Sequence, residues 1–343
     1  MKIFNRITEK LEENLPFVVY RKPNKKEVLA FFQKDANLNE TSTFSDEGFV
    51  FAPFDSNEKA VLIPKEKSEY FKEYLKEFSS LNSINDITDD LSSKENHINL
   101  ITSGIKAIKS GAFKKVVLSR KEKVDVNDFD VLSSFKKLLI AYPNAFVYLW
   151  FHPKVGLWLG ATPETLIKIK GDAFETMSLA GTQEFKGNVD VMWKPKELFE
   201  QQLVTDYVLD KLKPICNGVE ADEVKTIKAG NLLHLKTQIK GVFSSKPVDL
   251  IKVLHPTPAV CGFPKDETKE FIINNENYNR EYYTGFLGEL NLPNSELFVN
   301  LRCFQVIDKR IFIYVGGGIT KDSNPEKEWE ETVAKTKTVK KVL

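Results

Sequence analysis

The sequence predicts an α+β fold in which helices accompany a largely antiparallel β-sheet. Residues 145–151, 155–159 and 165–169 are apolar runs separated only by turn residues, so they are predicted to be consecutive strands. Consecutive strands joined by short turns usually pair antiparallel. Helical patterns occur between the strand-like runs without strict alternation, which argues against a doubly wound sheet of parallel strands.

After residue 97, helices are predicted at four places from the spacing of apolar residues and from end signals. Isoleucines recur at helical spacing within residues 98–108, and Gly111 stands where such a helix usually ends. Asp130 can cap a second helix. A third helix is predicted over residues 195–212, and a terminal helix from about Pro325.

Further strands are predicted from runs of β-branched and aromatic residues. Residues 115–119 predict a buried strand, because its apolar residues are contiguous and bulky. Residues 17–20 and 48–54 predict strands in the N-terminal part, and residues 296–305 and 310–315 predict strands near the C-terminus.

The N-terminal part ends in a segment that reads as a loop. Residues 70–78 predict a helix, and the following residues 79–96 are rich in Ser, Asn and Asp. This loop divides the chain into residues 1–97, which carry no recognisable chemical motif, and residues 98–343, which carry all the candidate functional groups.

Composition describes an ordinary globular protein, because 42% of the 343 residues are hydrophobic and 28% are charged. The 49 basic and 48 acidic residues leave a net charge of +1, so no overall field would recruit nucleic acid or a membrane. Three cysteines match neither a disulfide framework nor a zinc site. The N-terminus lacks a signal-peptide core and no apolar run could cross a bilayer. We therefore expect a cytoplasmic protein.

The terminal helix presents Glu328, Glu331 and Lys335 on adjoining positions of neighbouring turns. Ser323 and Glu326 before it are predicted to form a capping box. A solvated helix face with one ion pair is the alternative interpretation of these three charges.

A glycine strand end and a second acidic pair add to this pattern. Gly316, Gly317 and Gly318 end a strand, so backbone N–H groups there can approach an anionic ligand closely. Glu197 and Glu200 lie one turn apart on the helix after residue 195. Carboxylates on two helices could together hold Mg²⁺, which suits sparse carboxylates, water and an anionic substrate. Exposed acids without a ligand are the simpler alternative for Glu197 and Glu200.

Four further residues are candidates for acid-base chemistry or ligand binding. Lys115 precedes a buried strand and could be desolvated toward use as a base, or could instead extend into water. Glu164 follows the rigid turn at Pro163, where a turn residue without function is the alternative. His255 lies between constraining prolines and could orient a ligand or serve the loop alone. Arg302, in a strand-like run, needs an anionic partner, either a substrate carboxylate or a structural acid.

Together these segments resemble the chorismate-utilising enzymes, which make isochorismate, salicylate, anthranilate or aminodeoxychorismate. The segments that carry the resemblance, in family order, are Lys115-Val-Val-Leu-Ser-Arg120, Gly160-Ala-Thr-Pro-Glu164, Leu179-Ala-Gly-Thr182, His234-Leu-x-Thr237 with Ile239 and Gly241, Leu254-His-Pro-Thr-Pro-Ala-Val-Cys-Gly262, Arg280-x-x-Tyr283-x-Gly285-x-x-Gly288, Val299-Asn-Leu-Arg-Cys303 and the segment from Gly316 to Lys335. They span residues 98–343. Residues 1–97 would then be a divergent part of the same fold.

The resemblance implies one large α+β unit, with extensive β-sheet flanked by helices and a deep active-site cleft. It implies that Lys115 activates a water molecule for attack at C2 of chorismate, and that Glu164 protonates the C4 hydroxyl as it leaves. It implies Mg²⁺ as the cofactor, held by Glu200, Glu331 and, directly or through water, Glu328. The residues that it implies for substrate binding are Thr182, His255, Tyr283, Arg302, Gly317, Gly318 and Lys335.

One position departs from the family pattern near the predicted metal. The family often shows Lys-Asp-x-x-Glu-His, whereas this chain has Lys196-Glu197-Leu198-Phe199-Glu200-Gln201. The ligand Glu200 is retained, but Gln201 changes its surroundings.

Among the family's activities, the residues favour isochorismate synthesis. Anthranilate synthases tend to carry glutamine at the position of Lys115 and an Arg-Asn-Asp pattern after the residue that matches Glu200, whereas here Glu200 leads into residues 203–212 without that pattern. Aminodeoxychorismate synthases use the lysine as a nucleophile. Salicylate synthase, which forms isochorismate and then eliminates pyruvate, stays an alternative, as does a non-catalytic chorismate-binding protein. We expect a monomer without a glutaminase subunit, feeding either menaquinone or siderophore synthesis.

Overall fold

The computed structural model describes residues 2–75, 93–125, 129–292, 294–308 and 310–343. Seven α-helices are found in these residues: α1 (Lys2–Glu12), α2 (Lys94–Lys109), α3 (Val131–Ala141), α4 (Pro195–Leu212), α5 (Pro247–Leu254), α6 (Lys265–Asn275) and α7 (Pro325–Lys340). No helix in the described ranges is long and apolar enough to cross a membrane.

Nineteen strands are found in the described residues: β1 (Phe17–Arg21), β2 (Glu27–Gln33), β3 (Asn39–Thr41), β4 (Gly48–Ala52), β5 (Ala60–Pro64), β6 (Ser68–Tyr74), β7 (Lys115–Val124), β8 (Phe146–His152), β9 (Gly156–Thr162), β10 (Thr165–Lys170), β11 (Ala173–Glu184), β12 (Cys216–Ala221), β13 (Lys225–Ala229), β14 (Leu232–Phe243), β15 (Gly262–Phe263), β16 (Phe286–Leu290), β17 (Ser295–Val299), β18 (Cys303–Ile307) and β19 (Arg310–Ile319).

The strands form two large sheets. The first has the order β15-β7-β19-β18-β9-β8-β1-β2-β6, and the second the order β12-β14-β11-β10-β17-β16-β4-β5-β3, with β13 on β14. All pairings between described strands are antiparallel. The predicted α+β class with antiparallel sheet is therefore confirmed. Strands from residues 17–74 belong to both sheets.

The two sheets pack face to face through an aromatic core. Side chains alternate between the two faces of a strand, so the inner face of each sheet carries every second residue. The rings of Phe146 and Phe298, one from each sheet, stack with centroids 4.2 Å apart, and those of Phe51 and Trp150 lie 4.9 Å apart. Each such ring pair contributes about 1 kcal/mol beyond its burial. Helices cover the outer faces, including α3 on the first sheet and α4 on the second.

Local end signals located α2, α3, α4 and α7, whereas α1, α5 and α6 were not predicted from the sequence. Helix α4 has the predicted bounds, α7 begins at Pro325, and Gly111 has a φ of +86° just beyond α2, as a helix-ending glycine often does. The Asp130 side chain accepts a hydrogen bond from the backbone N–H of Leu132 at 2.9 Å, so it caps α3 as predicted.

Two N-terminal predictions are wrong within the described residues. The stretch predicted as helix begins instead with β6, which pairs with β2 at the edge of the first sheet; its remaining residues, 76–78, lie outside the described ranges. Tyr70 and Phe71 pack on Phe31 and Phe32 of β2, and this long-range contact outweighs the local helical spacing. Most of the predicted loop 79–96 lies outside the described ranges, but α2 already begins at Lys94.

The predicted capping box before α7 is also wrong. Asn324 is the N-cap residue, and its side chain accepts a hydrogen bond from the Lys327 N–H at 3.1 Å. The Ser323 hydroxyl instead accepts from the backbone N–H of Thr320 at 3.0 Å, because the chain turns one residue before the cap.

The chain passes from one sheet to the other at two neighbouring points. Strands β9 and β10 do not pair with each other, since β9 lies in the first sheet and β10 in the second. The predicted strand 296–305 is likewise two strands, β17 and β18, and Arg302 at the break has a φ of +50°. Because β9 pairs with β18 and β10 with β17, these crossings lie side by side. They bring Glu164 and Arg302 to the same end of the core.

Candidate active site

A cleft of about 90 Å³ opens where the two crossings meet the glycine end of β19 and the helix α7. Nine of the predicted site residues line it: Glu164, Thr182, Glu200, Tyr283, Arg302, Gly317, Gly318, Glu331 and Lys335. They come from seven separate stretches of the chain. Lys115 and Glu328 lie directly behind this lining, beside Gly318 and Gly317 respectively.

The glycines of β19 leave room for charged side chains. A Cβ atom on Gly318 would lie 2.2 Å from Glu200 Oε1 and 3.1 Å from Lys115 Cε, so any larger residue there would displace these two side chains. A Cβ atom on Gly317 would lie 3.7 Å from Glu331 Oε1 and 3.8 Å from Glu328 Oε2. The carboxylates of α4 and α7 therefore converge on this short piece of strand.

Each of these carboxylates forms an ion pair with a lysine. Lys115 Nζ lies 2.9 Å from Glu200 Oε1, and Lys335 Nζ lies 2.7 Å from Glu331 Oε1. Lys335 also donates a hydrogen bond to the Gly316 carbonyl at 2.9 Å. The Lys115 side chain has no exposed surface and belongs to the first residue of β7. A buried amine thus lies against the acidic side of the cleft.

Glu328 and Glu331 differ although they are neighbours on α7. Burial and the negative charge of Glu331 raise the pKa of Glu328, and its ion pair with Lys196 only partly opposes this. Burial also opposes the charge of Glu331, but the attraction of Lys335 outweighs it and lowers the pKa of Glu331. The surroundings therefore favour the ionised form more at Glu331 than at Glu328.

The donor set fits Mg²⁺ in its chemistry. Mg²⁺ prefers a few hard carboxylate oxygens together with water and a ligand anion, and Glu200, Glu328 and Glu331 supply such oxygens around one strand end. Within the described ranges, no three acidic, histidine or cysteine side chains are close enough together to hold a metal as they stand. Binding of a cation would require these carboxylates to turn from their lysines.

Glu164 lies in a different environment on the other side of the cleft. It is 4% exposed, and its backbone is fixed by hydrogen bonds of its carbonyl with the Val299 N–H at 3.0 Å and of its N–H with the Thr162 hydroxyl at 3.3 Å. Burial raises the pKa of Glu164 to about 8, although the charge of Lys115 acts in the opposite direction. The carboxyl group is therefore protonated at neutral pH and can donate a proton.

Arg302 is oriented by His234. The Gly181 carbonyl can only accept, so the His234 Nδ1 that lies 2.8 Å from it carries the proton. The unprotonated Nε2 then accepts a hydrogen bond from Arg302 Nη2 at 3.3 Å. Burial, followed by the charge of Arg302, lowers the pKa of His234 to about 3, so the ring stays neutral. The guanidinium keeps its remaining N–H groups for an anion in the cleft.

Tyr283 and Thr182 complete the wall. The Tyr283 ring stacks on Tyr314 with centroids 5.5 Å apart, and its hydroxyl lies 3.1 Å from the Cβ position of Gly316. The Thr182 hydroxyl lies 3.4 Å from His234 Nδ1. Both side chains are thus held at the cleft by aromatic packing or by a polar contact.

Comparison with known proteins identifies the family. The sequence profile described as chorismate binding enzyme matches residues 21–343. The chain belongs to the chorismate binding enzyme family. This confirms the resemblance read from the sequence motifs.

Three curated relatives are 28%, 30% and 31% identical to this chain over the aligned segments. The isochorismate synthase DhbC of Bacillus subtilis is 30% identical over 73% of this chain and 68% of its own length. The vibriobactin-specific isochorismate synthase of Vibrio cholerae is 31% identical over 66% of this chain, and the alignment spans only 60% of that enzyme. The isochorismate synthase MenF of Escherichia coli is 28% identical over 68% of this chain and 56% of its own length.

Solved structures of related enzymes have the same fold. The crystal structure of a putative 2,3-dihydroxybenzoate-specific isochorismate synthase from Bacillus anthracis has a TM-score of 0.81 and 25% identity, covering 98% of this chain and 99% of that one. Menaquinone-specific MenF from Escherichia coli has a TM-score of 0.80 at 20% identity, covering 96% of this chain and 88% of that one, which shows the shared fold.

Two residues that the sequence analysis named as candidates, His255 and Glu197, are not part of the cleft lining. His255 is buried against the Phe286 ring, its Nε2 lies 3.0 Å from the Pro53 carbonyl, and it is not part of the cleft lining. Burial lowers the pKa of His255 to about 4. The Glu197 carboxylate accepts a hydrogen bond from the Lys194 N–H at 2.9 Å and so closes the start of α4. Both arrangements serve the local backbone.

Gln201, where the family often has histidine, connects α4 to the second sheet. Its Nε2 donates to the Ser178 hydroxyl at 2.9 Å and lies 3.3 Å from the Thr237 hydroxyl. None of its hydrogen bonds within the described residues goes to Glu200. The substitution therefore affects how the helix is seated and leaves the predicted ligand itself unchanged.

Sequence reasoning missed the two partner residues of the site, His234 and Lys196. His234 belongs to a recognised motif, but the role that it takes here depends on Gly181 and Arg302, which are 53 and 68 residues away in the chain. Lys196 precedes Glu200 by one helical turn, which suggests a pair within α4, yet it contacts Glu328 on α7. Helical spacing alone gives no signal for such a pair between helices.

Proposed function

We propose that the protein is an isochorismate synthase that converts chorismate to isochorismate with Mg²⁺. The observation that carries this is the pairing of two proton-transfer groups at one cleft. Lys115 is a buried amine on one side, and Glu164 is a carboxyl group on the other whose pKa of about 8 keeps it protonated. Such a pair suits a reaction in which one hydroxyl group arrives and another departs.

Lys115 can act as a base only as the neutral amine, so Glu200 has to leave its ion pair with Lys115, as it would on binding the cation. The neutral Lys115 then takes a proton from the water molecule that attacks C2 of the ring, and Glu164 gives its proton to the C4 hydroxyl, which leaves as water. Proton balance is kept because one group gains what the other loses. Arg302, held by His234, and Lys335 bind the carboxylates of the substrate. Tyr283, Thr182 and the backbone at Gly317 and Gly318 position the ring in the cleft.

Glu200 and Glu331 would hold Mg²⁺, supported by Glu328. The cation, when bound, neutralises these carboxylates and attracts the ring carboxylate of the substrate, which they would otherwise repel. The convergence of three carboxylates on Gly317 and Gly318 supports this assignment.

Residues 1–97 belong, in this proposal, to the same folding unit as residues 98–343, since strands from both parts share both sheets. The enzyme works in the cytoplasm as a monomer without a glutaminase subunit. Its product feeds menaquinone or siderophore synthesis, the two pathways named for its relatives.

The product assay tests this function. Purified protein is incubated with chorismate and Mg²⁺, and the products are separated by chromatography. We expect a mixture of chorismate and isochorismate, and the same mixture when isochorismate is supplied, because the reaction only rearranges hydroxyl groups. Stoichiometric salicylate and pyruvate would reassign the protein as a salicylate synthase. An ammonia-dependent aromatic amine would reassign it to the anthranilate branch, and binding without turnover would leave a non-catalytic protein.

A further inference from the structure

A second and larger cavity, of about 560 Å³, lies next to the cleft. It is bounded by the end of α3, the hairpin of β13 and β14, and the face of β10 and β11 opposite to α4. Ligand sites usually measure about 300–1,000 Å³, so this cavity can admit a small molecule, whereas the cleft of about 90 Å³ is closed down around its charged groups. None of the roles assigned above uses this space.

Arg302 and Pro163 separate the two spaces, because both residues line each of them. The guanidinium of Arg302 interacts electrostatically with Tyr142, which lines the second cavity, and with Tyr283 and Glu331, which line the cleft. One arginine side chain is thus the partition between the two cavities and also the proposed ligand of a substrate carboxylate. An anion that moves from the larger cavity into the cleft would pass the wall formed by Arg302 and Pro163.

The second cavity carries an excess of positive charge. Lys168, Lys228 and Lys236 line it, with Glu175 as the one acid in its lining. Lys168 is neutralised by Glu296 at 2.6 Å, and Lys228 Nζ lies 3.6 Å above the Phe185 ring.

Lys236 has no carboxylate within ion-pairing distance among the residues that the structure describes, although it is only partly exposed. Burial and the neighbouring charge of Lys168 lower the pKa of Lys236, and the attraction of Glu175 and Asp222 only partly opposes this. A partly desolvated ammonium group without a direct ion pair is costly, and a bound carboxylate would reduce that cost.

We propose that the second cavity is an entry chamber that captures the dicarboxylate substrate before Arg302 passes it into the cleft. This inference rests on the proposed function, because it takes chorismate as the ligand. Lys236 and Lys228 attract the anion, and the apolar wall formed by Leu138, Met177 and Ile227 accepts the ring. Charged walls in a cavity of low dielectric raise the local concentration of an oppositely charged ligand.

The test compares Lys236→Gln with Lys240→Gln. Both lysines lie on β14, four residues apart on one face of the strand, but only Lys236 lines the cavity, while Lys240 lies 3.8 Å from Glu220. At low ionic strength we expect Lys236→Gln to lower kcat/KM for chorismate about fivefold with kcat unchanged, and to weaken the salt dependence of kcat/KM. Lys240→Gln should match the wild-type enzyme. Equal effects of the two variants, or none from Lys236→Gln, would overturn the proposal.

Ala229→Trp gives an independent steric test, since Ala229 lines the cavity on the hairpin strand β13. A bulky ring there should lower kcat/KM at least fivefold and leave kcat intact, whereas an unchanged kcat/KM would refute an entry path. If the wild-type protein produces no isochorismate, the proposed function fails by itself. In that case the affinity for chorismate, measured by calorimetry with Mg²⁺, tests the entry chamber separately. Weaker binding by Lys236→Gln but not by Lys240→Gln supports the chamber. Equal binding by the two variants overturns it.

Discussion

Glu164 and Glu331 face the same cleft, yet their environments drive their carboxyl groups in opposite directions. Glu331 lies 2.7 Å from Lys335, whose attraction overcomes burial and lowers the pKa. Glu164 has no ion-paired lysine among the described residues, so burial dominates and raises the pKa to about 8. An ion-paired lysine thus favours the ionised form of Glu331, while burial without such a partner favours the protonated form of Glu164, although both residues are glutamates in one site.

The largest expected effect is that of divalent cations on the anionic side of the cleft, which includes Glu331. We expect chelation to eliminate turnover and Mg²⁺ to restore it, because the anionic side of the cleft and the substrate carboxylates repel each other without a cation. Glu331→Ala and Glu200→Ala should each require far more Mg²⁺ for half-maximal rate. Glu197→Ala is the matched control on α4, since the partly buried Glu197 carboxylate caps the helix. Full activity in chelator would refute the metal site.

Replacement of either proton-transfer group should be nearly as severe. Lys115→Ala and Glu164→Gln should each lower kcat about 10²- to 10⁴-fold while the circular dichroism spectrum stays that of the wild type. Steady-state assays of chorismate consumption measure this. Wild-type turnover in both variants would end the acid-base assignment.

His234 contributes to the cleft through Arg302, and none of its hydrogen bonds within the described residues goes to Glu164 or Glu331. His234→Leu removes the acceptor of the Arg302 N–H group, and a hydrogen bond to a charged group is worth about 1.5 kcal/mol or more. We therefore expect KM to rise about tenfold with a smaller change in kcat. His234→Gln, whose side-chain oxygen can accept from Arg302, should recover part of the loss. A KM equal to that of the wild type in His234→Leu would show that Arg302 needs no such support.

The titration of Glu164 should also change how the free energy of unfolding depends on pH. Its pKa of about 8 in the folded state lies above the ordinary value of 4.5, so its contribution to stability is fully present below pH 4.5 and is lost as the pH rises through 8. Glu164→Gln removes this titration. At pH 6 the variant should be more stable than the wild type by on the order of 2 kcal/mol, at 1.36 kcal/mol per pKa unit. Urea unfolding at several pH values measures the difference, which must vanish near pH 4 and grow toward pH 8.

The sequence predicted the helices that carry the site better than the long-range pairing of the strands. Helices α4 and α7 were located because Pro195 and Pro325 mark their first turns and the signals are local. Segment 70–78 was misread because its pairing with β2 involves residues about 40 positions away, which no local spacing reveals.

The candidate residues were found one by one from their motifs, but their proximity was not predictable from spacing. Glu164 and Arg302 meet because the chain changes sheets at two adjacent places, and one long strand was predicted where the break at Arg302 occurs. The pair of Lys196 and Glu328 joins residues 132 positions apart. Protonation of Glu164 depends on burial that only the packed core creates.

The protonation state of Glu164 is the most direct test of this account. Infrared difference spectra between the wild-type protein and Glu164→Gln, recorded from pH 6 to pH 9, isolate the carboxyl group of this residue. We predict a protonated carboxyl band at pH 7 that disappears as the pH rises through about 8 and is replaced by carboxylate bands. Carboxylate bands already complete at pH 6 would contradict the assignment of Glu164 as the proton donor.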